Sequence, residues 1–372
     1  MLFLSSCYPV KRYYLKPISA DEAEHLVSKI DPRSQGLRSW NDISCAVKRS
    51  LEYVSKKPPY KKVYSKYIDL TWGDLKDTLE ELLKILPELD KNPKLLAKRF
   101  KWYELVPSPL FTGYYEPLIE ASLRPRPDYP YPIYGLPKDL KIADLGKFHP
   151  KWKGQVLVYR IEKGKIRPYY TREEIEKQRA IENKAPKIAW AKNLIDIYFL
   201  QIQGSGRLLL PDGRIIHIGY AGKNGRPFVS IGKILIESGL MQPEEVNIKN
   251  IKKFFKKHPK LMKKILYQDP SYVFFRLLPD GPIGAMGKKL TPYISLATDP
   301  SILPLGSMVI FFLDLKEVKN SPFSIKGIGL SQDVGGAIKG HRIDLFCGFG
   351  DKAEAIAGGL KKEGRVFLLI KK

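Results

Sequence analysis

Apolar positions recur three and four residues apart through the first hundred residues, but alternate or run in short blocks over the last ninety. The first pattern predicts helices. Ser19-Ala20-Asp21-Glu22 forms a capping box that opens an amphipathic segment through Ile30. A stronger helix starts at Thr71, with Asp74 at the box position and Leu75, Leu79, Leu82, Leu83 and Leu86 on one face. Residues 95–103 read as a further short helix. The second pattern predicts strands at 293–297, 308–313, 324–331, 343–347 and 365–370, with one Ala-rich helix at 352–357. Short strands closed by Pro and Gly turns suggest a small barrel.

Between these halves the pattern is mixed. Phe111-Thr112-Gly113-Tyr114-Tyr115-Glu116-Pro117 reads as a strand running into a turn, and five prolines make residues 124–137 extended loop. Thr171 to Glu174 is a second capping box. Residues 188–197 read as helix and 198–203 as an alternating strand ending at Gly204-Ser205-Gly206. Pro211-Asp212-Gly213 closes a hairpin. A helix then ends at Gly239, and residues 251–266 form a basic one.

Composition changes this picture in one respect. The 372 residues suffice for two cores, and a hydrophobic fraction of 44% is ordinary, but the formal charge is +25. Such a charge attracts polyanions. The lysines are spread along the chain without a recognition helix, zinc finger or aromatic RNA-binding signature, which argues against nucleic acid. Cys7, Cys45 and Cys347 lack metal-ligand spacing, so no zinc site is expected, while a Cys45–Cys347 bridge stays open. Leu4-Ser5-Ser6-Cys7 reads as the end of a bacterial lipoprotein signal, with Cys7 the lipidated residue. The three residues before it are too few for the charged and apolar parts of such a signal.

The candidate chemistry lies in Gln332 to Phe346. Asp333 and Asp344 each sit in an apolar strand context, separated by Gly335-Gly336 and Gly340. A desolvated carboxyl rises above its reference of about 3.9 and can hold a proton for a leaving group. Asp344 alternates with Ile343 and Leu345 and so faces away from them. The plain alternative is an aspartate that satisfies turn amides or pairs with Arg342 or Lys339. Asp299, before Pro300, has the same two readings. Gln203-Gly204-Ser205-Gly206 lacks the phosphate-loop pattern and is either a ligand-facing turn or a tight turn alone. Tyr114, Tyr115 and Tyr220, beside glycines, either stack on sugar rings or fill the core. His341 has no triad signature to serve and reads as structural.

Five segments, in order, resemble the membrane-bound lytic murein transglycosylase A family. They are Phe111 to Pro117, Gln203 to Gly206, Tyr220-Ala221-Gly222-Lys223-Asn224-Gly225, Pro270-Ser271-Tyr272-Val273-Phe274-Phe275, and Gln332 to Phe346. The similarity covers about residues 108 to 372, and its last part looks like a three-aspartate module with Asp299, Asp333 and Asp344.

The resemblance implies an α+β chain, mainly β with N-terminal helices. A double-psi β-barrel catalytic domain would comprise residues 1–117 and 279–372, with a β-rich substrate-binding domain, 118–278, inserted and a groove between them. It implies an exo-acting lytic transglycosylase that cleaves peptidoglycan between N-acetylmuramic acid and N-acetylglucosamine and leaves a 1,6-anhydro end. Asp344 would be the acid and base, with Asp333 supporting it and Asp299 completing the set. Thr112, Gly113, Tyr114, Tyr115, Gln203, Gly204, Ser205, Gly206, Tyr220 and Lys223 would hold the glycan. No cofactor or metal is implied. The implied setting is the periplasm, with an outer-membrane anchor through Cys7 and association with other cell-wall enzymes. A glycosidase on a similar barrel and a non-catalytic wall-binding protein are the alternatives. Arg342 departs from expectation, since a cation aimed at Asp344 would oppose acid catalysis; alternation is expected to turn it away.

Overall fold

The computed structural model describes residues 14–316, 318 and 324–372. Cys7 lies outside them. Helix and strand are present in comparable amounts, and the chain divides into two compact units, residues 1–114 with 283–372, and residues 115–282.

The first unit is built on a nine-stranded sheet. Its order is Tyr14–Pro17, Phe100–Val106, Arg365–Lys371, Met308–Asp314, Ser324–Asp333, Ser295–Ala297, Arg342–Phe349, Leu110–Glu116 and Lys361–Glu363. The pairing of Ser295–Ala297 with Ser324–Asp333 is parallel. The central strands are apolar on both faces: Met308 to Phe311 and Val366 to Leu369 are buried. Strands buried on both sides read as continuous apolar runs, and here the second covering layer includes the N-terminal helices. Among the described residues no pairing joins the first strand of the order to the last, so the expected barrel is seen as this open order.

Three polar side chains dock the helices on the sheet. The helix Trp72–Ile85, capped by Thr71 and Asp74, turns Leu75, Leu79, Leu82 and Ile85 inward, and its Thr78 hydroxyl accepts the Lys371 amide at 3.0 Å. Gln332, fully buried, donates to the Ala46 carbonyl and the Ser50 hydroxyl of the helix Ser44–Val54, and accepts from Ser295. Gln35 donates to the carbonyls of Tyr293 and Ile328 and accepts the Ile328 amide at 3.0 Å. The described residues before Phe100 are therefore a structural part of the sheet domain.

The second unit has a six-stranded sheet, a three-stranded sheet and several helices. Here four expectations are corrected. Residues Lys187–Ala191 form a strand, and Leu194–Gln203 is a helix. The helix is buried on nearly every side, so it shows neither a polar stripe nor a helical period, and a short apolar run cannot be typed by periodicity. The proline-rich stretch contains the strand Tyr131–Tyr134, with Pro132 tolerated because this is the edge strand of its sheet. The basic helix is two, Ile248–Lys257 and Pro259–Leu266, broken at His258 because the residue before a proline is forced out of the helical region. In the first unit the helix at Leu95 stops at Arg99, and Phe100–Val106 is a strand.

Gln35→Leu would leave the Ile328 amide and two carbonyls unsatisfied inside the sheet domain. It should lower the unfolding free energy by roughly 2–4 kcal/mol. Urea denaturation reads this directly, and a loss under about 0.5 kcal/mol would show that Gln35 does not dock the helices.

Candidate active site

The site is assembled by four adjacent strands. Ala297 is in register with Asp344 on one side and with Asp333 on the other. The two acids are therefore abreast, two strand spacings or about 10 Å apart at the backbone, with an alanine side chain between them. The next strand, Leu110–Glu116, contributes Thr112 and Tyr114, two residues apart and so on one face. Thr112 Oγ1 donates to Asp344 Oδ1 at 2.7 Å, and Tyr114 donates to Asp333 Oδ2 at 3.0 Å. Behind them Tyr114, Leu290, Ala297, Ile338 and Phe346 form an apolar cluster.

Gly113, between these two residues, points the other way. A Cβ there would lie 2.8 Å from the Ala357 backbone and 3.1 Å from Cys347 Sγ. The glycine lets its strand approach the helix Gly350–Gly359, which sets the depth at which Thr112 meets Asp344. Cys347 and Cys45 are both free thiols.

The three aspartates differ in chemistry. Burial pushes the Asp344 carboxyl up to about 6; the Thr112 hydrogen bond and the Arg342 charge pull it down, and the Asp333 charge adds to the rise. Burial also raises Asp333, against the Val334 and Ala285 amides and the Tyr114 hydroxyl. Both its oxygens are engaged, Oδ1 by the two amides at 2.9 and 2.8 Å and Oδ2 by Tyr114. Asp299 is also partly buried, yet the amides of Gly340 and Ser301 and the Ser301 hydroxyl outweigh that cost and hold it below the ordinary carboxylate value. Asp299 thus pins the glycine loop that precedes Asp344, with Gly340 N donating at 2.9 Å.

Arg342 is not turned away. Residues two apart on a strand share a face, so Arg342 accompanies Asp344, and its Nε donates to Thr112 Oγ1 at 3.3 Å. The Thr112 hydroxyl thus accepts from the guanidinium with one lone pair and donates its single proton to Asp344. The arginine therefore acts on the acid by its charge and also touches the hydroxyl that the acid accepts from. Period-two alternation was the signal that could have found it. His341 is buried, its Nδ1 2.6 Å from the Pro107 carbonyl, and burial lowers its pKa.

In the second unit, Gln203 Oε1 accepts the Tyr115 amide at 3.0 Å, and the Tyr115 ring is core, 1% exposed. Gly204 ends its helix at φ 78°, a left-handed conformation that suits glycine. Ser205 is buried opposite Gly219, and Gly206 lies against Pro117 and Leu200. Tyr220, about half exposed, and Lys223 are open to solvent. Asn224, from the same motif, is buried and bonds Tyr170, Pro270 and Tyr272, a scaffold role that its place in the motif did not reveal. Among the described residues no three His, Cys, Asp or Glu side chains converge as a metal site.

Two measurements follow from the Asp344 environment. A carboxyl at about 6 when folded and 3.8 when unfolded is bound more tightly by protons in the folded state, so its burial costs stability as pH rises between those values. Asp344→Asn should therefore gain up to ~3 kcal/mol at pH 7 to 8 and almost nothing below pH 4. Equal effects at both pH values in thermal unfolding would contradict this. Thr112→Val removes a donor to the charged form, so carboxyl-carbon NMR should find Asp344 titrating above the wild-type midpoint; a downward move would refute the hydroxyl's role.

Comparison with known proteins identifies the family. Residues 110–276 match the model for the MltA specific insert domain, and residues 294–370 match the 3D domain. The membrane-bound lytic murein transglycosylase A of Vibrio cholerae is 34% identical over 265 residues, a match spanning 70% of this chain and 65% of that one. A homolog from Buchnera aphidicola is 30% identical over 317 residues, covering 82% of this chain and 78% of its own length. The crystal structure of a membrane-bound lytic murein transglycosylase from Agrobacterium tumefaciens superposes with a TM-score of 0.80 at 26% identity, covering 96% of this chain and 98% of that one. Identity, coverage and fold together place the chain in the membrane-bound lytic murein transglycosylase A family.

Proposed function

We propose that the protein is a lytic transglycosylase that cleaves the bond between N-acetylmuramic acid and N-acetylglucosamine in peptidoglycan and closes a 1,6-anhydro ring. The observation that carries this reading is a single carboxyl, Asp344, desolvated until it titrates at about 6. Protonated, it gives its proton to the glycosidic oxygen as the C1–O bond breaks and positive charge develops at C1. The resulting carboxylate takes the proton of the muramyl C6 hydroxyl, whose oxygen bonds to C1. Asp344 ends the cycle protonated by the C6 hydroxyl's proton, its first proton having left on the departing sugar's hydroxyl, and no water is consumed. One group serves as acid and then base, and its pKa near the working pH suits both roles.

Asp333 is a positioning residue in this scheme. Its charge favours the protonated form of Asp344. A hydrolytic reading would instead need a second carboxylate to activate water, and both oxygens of Asp333 already accept hydrogen bonds. The sheet unit is the catalytic domain in this reading and the inserted unit binds glycan, with Tyr220 and Lys223 its exposed contacts. The +25 charge suits the anionic wall and membrane surface. Among the described residues no helix is long and apolar enough to cross a membrane, and lipid at Cys7 would supply an attachment in this reading.

Digestion of murein sacculi tests the proposal. Products should carry anhydromuramoyl ends; products heavier by one water would sink the transglycosylase reading in favour of hydrolysis, and no release would leave a binding protein. Asp344→Asn should lose on the order of a thousandfold in rate while still binding sacculi. Because the reaction starts from the protonated acid, kcat/KM should fall about tenfold per pH unit above its pKa near 6. A rate that rises steadily through this range would exclude Asp344 as the initial proton donor.

A further inference from the structure

The inserted unit carries a surface that the proposed chemistry does not use. Its three-stranded sheet places Val156–Glu162 between Lys141–Asp144 and Lys165–Pro168. Ile161 faces Ile166 across one pair and Leu157 faces Ala143 across the other, so the three larger side chains share one face. That face is open: Ile161 and Ile166 are 61% and 64% exposed. The loop that joins the first two strands adds Phe148, 73% exposed, and Trp152, 43% exposed. The opposite face is packed at its centre, where Val158 abuts Gly225 and the Arg160 guanidinium lies 3.9 Å from the centre of the Tyr170 ring, while Ile142 and Val156 on that face are exposed.

Charge tells what would cover the open face. Residues 141–168 contain eight lysines and arginines against two acids, and both acids are used internally: Asp144 accepts the Gly146 amide and Glu162 pairs with Arg160. Lys141, Lys147, Lys151, Lys163 and Lys165 are exposed and enter no ion pair among the described residues. Interfaces between proteins are depleted of lysine at their apolar centres. Exposed isoleucine, phenylalanine and tryptophan surrounded by lysine suit the boundary of an anionic bilayer. There the apolar groups enter the acyl boundary, the indole rests among headgroups and each ammonium meets a phosphate.

We propose that the outer face of this sheet seats directly on an anionic lipid surface, independently of any covalent lipid and of the catalytic reading. The test is co-sedimentation of the full chain, produced without lipid, with vesicles of phosphatidylglycerol and phosphatidylethanolamine, against vesicles of phosphatidylcholine. Binding should favour the anionic vesicles and weaken with salt. The triple variant Phe148→Ser, Ile161→Ser, Ile166→Ser should bind at least tenfold more weakly, and Lys141→Glu, which shares the face of Leu157 and Ile161, with Lys163→Glu should abolish the preference for anionic vesicles. Both sets are exposed, so thermal unfolding should be unchanged and confirm intact variants. The proposal is overturned if the wild type ignores anionic vesicles or if folded triple variant binds them as well as wild type. It is equally overturned if the wild type self-associates through a contact that the triple variant abolishes.

Discussion

A carboxyl group that must hold a proton near neutrality has to be taken out of water, and once there it is sensitive to every charge and donor around it. In this protein that balance depends on one hydroxyl. Thr112 donates to Asp344 and accepts from Arg342, so the nearby cation also touches the neutral group that the acid accepts from. Burial raises the acid, while the Thr112 hydrogen bond and the Arg342 charge limit the rise. A direct ion pair with Arg342 would have favoured the carboxylate more strongly. The same strand that carries Thr112 also supplies Tyr114 to Asp333, so the environments of both acids depend on the position of Leu110–Glu116.

That position is itself a packing result. Gly113 lets the strand lie against Ala357 and Cys347, Ala297 leaves space between the two acids, and Asp299 anchors the glycine loop leading to Asp344. The helical N-terminal segment is part of the same construction, since Gln332 reaches from the residue beside Asp333 to Ala46 and Ser50. An acid with a special pKa is thereby held by elements from both ends of the chain.

Much of this was legible in the sequence where a local rule applied. Thr71 and Asp74 announced their helix, the late strands followed their apolar blocks, and the spacing of Asp333 and Asp344 marked the site. What failed had no local signal. Leu194–Gln203 is buried all round and lost its period. Gln35 and Gln332 are single amides whose partners lie far away in sequence, so nothing near them reveals that they dock helices. Arg342 was different: its face followed from the strand period, and the expectation of a cation turned away disregarded the two-residue step.

The position of the last strand has a consequence for how the protein comes into being. Arg365–Lys371 lies between Phe100–Val106 and Met308–Asp314, in the interior of the sheet order. The inserted unit is contiguous and complete in sequence by Pro282, whereas the sheet that carries Asp344 lacks one of its central members until residues 365–371 have been made. Pairings over such sequence distances are slow to form, and an emerging chain folds its earlier units first. During synthesis, then, the inserted unit has all its residues while the carboxylate still lacks the sheet that shapes its environment. A partly made chain thus holds the whole insert but not yet the sheet around Asp344.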